Sequence, residues 1–190
     1  MTLAQSFYRP QSAYALLERG AQNSHERSSR AVLESLARIE EVDAEVRAMT
    51  AVATHEAARA NASAAQGPLA GLPVVVKDIF DTHDFVTSYG SPIYADHRPK
   101  SDAAIVTLLK RNGAVIVGKT VTSEFAYMAP TVTRNPCDPG RTAGGSSSGS
   151  AAAVAAGIAP FAIGSQNCGH IRSDARHGGL LALARDVAPP

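Results

Sequence analysis

The sequence predicts an α/β fold, a mixed and largely parallel sheet flanked by helices, on three observations. Leu72-Pro73-Val74-Val75-Val76 is a β-branched run without polar alternation, as expected of a strand covered on both faces. Ala114 to Val117 is a second apolar run of the same kind. Between them lies a helical pattern, and strand, helix and strand in that order suggest a right-handed crossover between parallel neighbours.

The elements follow in chain order. From Ser28 to about Val46, apolar Val32, Leu33, Leu36, Ile39, Val42 and Val46 recur at three- and four-residue steps, one buried stripe of an amphipathic helix. The alanine-rich segment from Ala51 to about Ala65 also favours helix, and Gly67-Pro68 ends it. After the first strand, Ser101-Asp102 is expected to cap a helix carrying Ile105, Val106, Leu108 and Leu109, closed by Asn112-Gly113. Thr120 to Arg141 reads as a loop, with Asn135-Pro136 and Asp138-Pro139-Gly140 as turn signals. Ser150 to Ala156 is a small-residue helix, Pro160 to Ile163 a third short strand, and Gly164 to Gly169 a polar turn. Residues 1–190 are expected to form one domain part, with 1–66 mostly helical and 67–190 an α/β core that carries a glycine-serine block at 142–157.

Composition excludes several function classes. At 190 residues and 45% hydrophobic content the chain can build a core. A net charge of +1 provides no broad electropositive field, so neither nucleic acid nor an anionic membrane is an expected direct partner. Cys137 and Cys168 make no disulfide framework, and MTLAQSFYRP has no apolar signal core, so a reducing cytoplasm is the expected location. The longest apolar stretch, Ala151 to Ile163, is broken by Gly157 and Pro160 and falls short of a membrane span.

The chemistry concentrates in TAGGSSSGSAAAVAAG, Thr142 to Gly157. A flexible linker would not run straight into a compact alanine helix and a strand. A phosphate-binding loop would need Gly-Lys-Ser/Thr where the chain has Gly149-Ser150-Ala151. The third reading makes the serines chemical, and a serine hydroxyl needs a base; a lysine serves if burial keeps it uncharged. Lys77, directly after three valines, is the candidate, at the strand end where α/β sheets gather functional groups. A salt bridge from Lys77 to Asp78 or a neighbouring acid is the alternative reading.

Together these residues resemble the amidase signature family of serine hydrolases. Gly71-Leu72-Pro73-Val74-Val75-Val76-Lys77-Asp78 resembles the family's lysine strand, and Arg134-Asn135-Pro136 followed by Gly144 to Gly157 resembles its signature block. Gly118-Lys119-Thr120 and Ser123-Glu124-Phe125-Ala126 are secondary matches, and the resemblance covers about residues 10 to 166. It implies hydrolysis of carbon–nitrogen bonds in small-molecule, non-peptide amides, without a cofactor. Lys77 would be the base and Ser146 the relay serine on a cis peptide bond, with Gly144, Gly145, Ser147 and Ser148 supporting the loop. Ser147, Ser148 and Ser150 would donate hydrogen bonds to the loop backbone. Neutral lysine would deprotonate Ser146, which would take the proton of the nucleophilic serine as it attacks the amide carbonyl.

In the family this chain resembles, that nucleophile sits in a later turn whose amides form the oxyanion hole. The chain reads Gly164-Ser165-Gln166-Asn167-Cys168-Gly169-His170, so Asn167, Cys168 and Gly169 would supply the turn and His170 stands at the nucleophile's place. Imidazole is bulkier than a hydroxyl and its acyl derivative is reactive, so impaired or absent hydrolysis is expected. Ser165 and Ser173 lie five and three residues from that place and are poor substitutes. The family continues well past the 190 residues seen here, so a truncated member is expected. Missing strands would expose a sheet edge and favour a homo-oligomer.

Three rivals accompany this reading. Cys168, His170 and His177 have metal-ligand chemistry but match no familiar spacing, so no metal is expected. An amidase-like fragment could instead act as an interaction module without catalysis. Within the enzymes, the glutaminase subunit of a tRNA-dependent amidotransferase is the alternative to a stand-alone amidase.

Overall fold

The computed structural model describes residues 24–165 and 180–183. The first helix, α1 (Ser24–Val46), buries Val32, Leu36, Ile39, Val42 and Val46, the stripe expected from the periodicity. Its end is fixed by Asp43, whose Oδ1 accepts from the amides of Ala48 at 2.7 Å and Met49 at 3.2 Å as the chain reverses through Arg47 at φ 55.

The structure here departs from the expected second helix. Met49–Val52 is a strand, β1, and the helix α2 is confined to His55–Ala64, capped by the Thr54 hydroxyl. Alanine favours helix only weakly, and pairing with β3 (Val115–Thr120) overrides that preference for Ala51 and Val52. Within residues 24–66 two helices thus flank one strand.

β2 (Pro73–Lys77) is buried at every position, and α3 (Ala104–Arg111) connects it to the parallel neighbour β3. Ser101-Asp102 does not cap α3: its N-cap is Ala103 and makes no side-chain bond. Asp102 is engaged elsewhere, accepting from the His83 amide and from Lys110, each within 2.8 Å. Asn112 closes α3 and Gly113 follows at φ 88, as the sequence suggests.

After α4 (Ser148–Ala155), β4 (Phe161–Gly164) and β5 (Leu180–Leu183) complete a five-stranded sheet of order β1-β3-β2-β4-β5. Only the β1–β3 pair is antiparallel. α1, α2 and α4 pack on the face that carries Val75, Val115 and Val117, and α3 packs on the face that carries Val74, Val76 and Ile116. This is the mixed, largely parallel sheet between helices that the sequence predicts. Among the described residues no helix is long and apolar enough to cross a membrane.

One irregularity positions the site. Val74 pairs with Ile116 but Val75 with Gly118, so Val117 is an extra residue in β3. Past it, Lys119 lies opposite Val76 and Thr120 opposite Lys77. Gly118 meets β1 so closely that a Cβ would lie 2.4 Å from the Ala51 carbonyl oxygen.

Candidate active site

Lys77 ends β2 and is fully buried, on the face occupied by α4. Its Nζ lies 2.7 Å from Ser146 Oγ and 3.1 Å from both the hydroxyl and the carbonyl oxygen of Ser165. All three partners are neutral oxygens. Burial pushes the Lys77 ammonium down to about 8, and no acid among the described residues pairs with it. The salt bridge from Lys77 to Asp78 does not form, because Asp78 is turned to the other face and pairs with Lys119 at 3.0 Å.

The glycine-serine block delivers Ser146 to this lysine. Gly144 adopts φ 82, and the peptide bond between Gly145 and Ser146 is cis. The Ser123 amide donates to the Ser146 carbonyl oxygen at 3.2 Å and so ties the loop to the segment that follows β3. The block then turns into α4, two residues earlier than its expected start.

The other serines reach outward. Instead of donating to their own loop, Ser147 and Ser150 donate to the carbonyls of Ser165 at 2.9 Å and Ile163 at 3.0 Å. Ser148 Oγ accepts from Thr131 at 2.8 Å, and Ser150 shares a 2.7 Å hydrogen bond with Thr120. These bonds lock the start of α4 to β4 and β3. Gly149 permits the approach, since a Cβ there would lie 2.4 Å from both Ala48 O and Val121 N.

Lys77, Ser146, Gly144, Gly145, Ser147 and Ser148 therefore converge at the ends of β2 and β4. Asn167, Cys168, Gly169 and His170, and the metal candidates among them with His177, lie outside the described residues. Sequence reasoning missed three participants. The sequence places Ser165 in the later turn and as a poor substitute nucleophile, whereas its hydroxyl contacts Lys77; Thr120 and Lys119 lie in a secondary motif without an assigned partner. The alternation of β3 could have found Thr120 had Val117 not displaced it.

Beside this cluster lies a cavity of about 620 Å³, with Asp78, Ser88, Ser91, Thr122, Ser123 and Glu124 among its lining residues. Ser91 donates to Glu124 at 2.7 Å, and Asp78 Oδ2 accepts from the Ser88 hydroxyl at 2.6 Å and its amide at 3.1 Å.

The family model described as Amidase matches residues 30–182. The chain belongs to the amidase family. Its family relatives include the AmiB2 protein of Mycobacterium tuberculosis, 46% identical over 164 residues, which cover 78% of this chain and 35% of that protein. A glutamyl-tRNA(Gln) amidotransferase subunit from Halothermothrix orenii is 41% identical over 152 residues, 77% of this chain and 32% of the relative. This member of the family thus spans about a third of the length of the curated relatives it matches. Among solved structures, 6-aminohexanoate cyclic dimer hydrolase in complex with substrate aligns with a TM-score of 0.74 at 31% identity, over 80% of this chain and 33% of that one. An inhibitor-bound structure, from work on a vestigial protein complex and the origins of an s-triazine catabolic enzyme, aligns at 0.79 and 39% identity over 87% and 39%.

Proposed function

We propose that this chain carries the base and relay serine of an amidase that hydrolyses carbon–nitrogen bonds in small-molecule, non-peptide amides. The observation that supports the reading best is the 2.7 Å contact between Lys77 Nζ and Ser146 Oγ, in a buried site where no acid of the described residues pairs with the lysine. A lysine that loses its proton near pH 8 accepts the Ser146 proton; Ser146 Oγ then accepts the proton of an attacking hydroxyl, and the amide nitrogen receives it as the C–N bond breaks. Water hydrolyses the resulting acyl-enzyme.

In this reading His170 occupies the nucleophile's place, and the turn at Asn167, Cys168 and Gly169 supplies amides to the oxyanion. The chain as written is then strongly impaired. Hydrolysis of simple aliphatic and aromatic amides by the parent, by His170→Ser and by His170→Ser/Ser146→Ala tests this. Expected is a gain of at least about 100-fold in His170→Ser that Ser146→Ala abolishes. Parent turnover equal to that of His170→Ser would overturn the assignment of His170.

The amidotransferase relatives favour a second reading, in which the amide is glutamine and the released ammonia is passed to a partner protein. Release of glutamate from glutamine by His170→Ser, with simple amides left intact, would select it.

A further inference from the structure

The sheet end holds two fully buried lysines, and their partners differ completely. Among the described residues Lys77 contacts only neutral oxygens. Lys119 directs its ammonium at Asp78 Oδ1, at the Phe80 carbonyl oxygen at 2.9 Å and at the Thr87 hydroxyl at 2.6 Å. The second carboxylate oxygen of Asp78 is held by the Ser88 amide and hydroxyl. Asp78 thus faces its own side of the sheet, Oδ2 hydrogen-bonded by Ser88 and Oδ1 without a hydrogen bond but ion-paired with Lys119, although it follows Lys77 directly in sequence. A buried acid without a countercharge would favour the charged form of any nearby amine.

We infer that Lys119 is a positioning residue that captures and neutralises Asp78, and thereby leaves Lys77 facing only serine oxygens and free to exchange its proton with Ser146. The inference rests on the reading of Lys77 as a base. Around Lys119 the acidic groups are Asp78 in contact and Asp81 and Asp102 farther off, whereas burial alone accounts for the displacement of Lys77. No acid of the described residues takes part at Lys77, and Asp78, its neighbour in sequence, is the acid that Lys119 holds on the other face.

The test follows Lys77 directly, through the Cε carbon resonance of the full chain in nuclear magnetic resonance across pH, assigned with Lys77→Arg. Amide dispersion reports folding in each variant. In Lys119→Met the exposed charge of Asp78 should raise the Lys77 midpoint by about one pH unit. In Asp78→Asn the unpaired Lys119 ammonium should lower it. In the double variant Lys119→Met/Asp78→Asn, where both charges are gone, the midpoint should return to the parent value. Opposite shifts that cancel are not what loosened packing produces. If Lys119→Met does not fold, the downward shift in Asp78→Asn and its reversal in the double variant carry the test. A depressed parent midpoint that moves in none of the folded variants would overturn the role of Lys119 alone. An ordinary parent midpoint would remove the reading of Lys77 as a base, and this inference with it.

Discussion

Ser147 and Ser165 hold each other by both ends: the Ser147 hydroxyl donates to the Ser165 carbonyl oxygen at 2.9 Å and accepts from the Ser165 amide at 3.2 Å. One buried side chain thus completes the backbone hydrogen bonding at the exit of β4, where Lys77 also binds. Ser147→Ala leaves that amide without its partner and should destabilise the fold by about 1–3 kcal/mol. Urea unfolding of parent and variant measures it, and unchanged midpoints would show that the bond is dispensable.

Lys77 should make stability depend on pH in a defined direction. Its ammonium loses its proton near pH 8 when folded, below the ordinary 10.5 of the unfolded chain, so between those values only the unfolded chain is protonated. Stability therefore rises with pH across that window and is lowest below pH 8, by about 3 kcal/mol from this group. Denaturant titrations of the parent and of Lys77→Met from pH 7 to 10.5 should show a steeper rise in the parent. Parallel curves would mean that Lys77 titrates normally.

Where hydrolysis is restored by His170→Ser, the same ionisation should govern the rate. With Lys77 as the proposed base the neutral amine would be the active form, so kcat/KM should climb tenfold per pH unit below about 8 and level off above it. A rate independent of pH between 6 and 9 would remove Lys77 from the base role.

Gly149 tests how tightly α4 sits on the sheet. A methyl group there meets two backbone atoms at 2.4 Å, neither of which can swing aside. Gly149→Ala should cost at least about 2 kcal/mol through forced separation of α4 from the strand ends, despite the better helix propensity of alanine. Thermal unfolding decides the sign, and a variant with a raised melting temperature would contradict the contact.

Much of this architecture was legible because it follows from periodicity and punctuation. The α1 stripe, the valine run of β2 and the Asn112-Gly113 stop are local signals, and each became the expected element. β1 was not legible, since Met49-Thr50-Ala51-Val52 owes its extended form to β3, more than sixty residues away. That Lys77 serves the serine block follows from a serine's need for a base and from a lysine at a buried strand end, but the choice of Ser146, 69 residues away, came only through the motif resemblance. Lys119 stayed unassigned for a different reason. Its face of the sheet depends on a backbone irregularity that strand alternation cannot anticipate.

That irregularity at Val117-Gly118 amounts to one residue of slack in β3. Were Val117 instead paired regularly with Val75, residue 119 would fall opposite Lys77, continue the alternation of Val115 and Val117 and enter the compartment where Lys77 meets the serines. Two ammonium groups would then share one dry space and repel each other. The slack acts as a partition: it keeps the Lys119–Asp78 ion pair on one face of the sheet and Lys77 with the serines on the other.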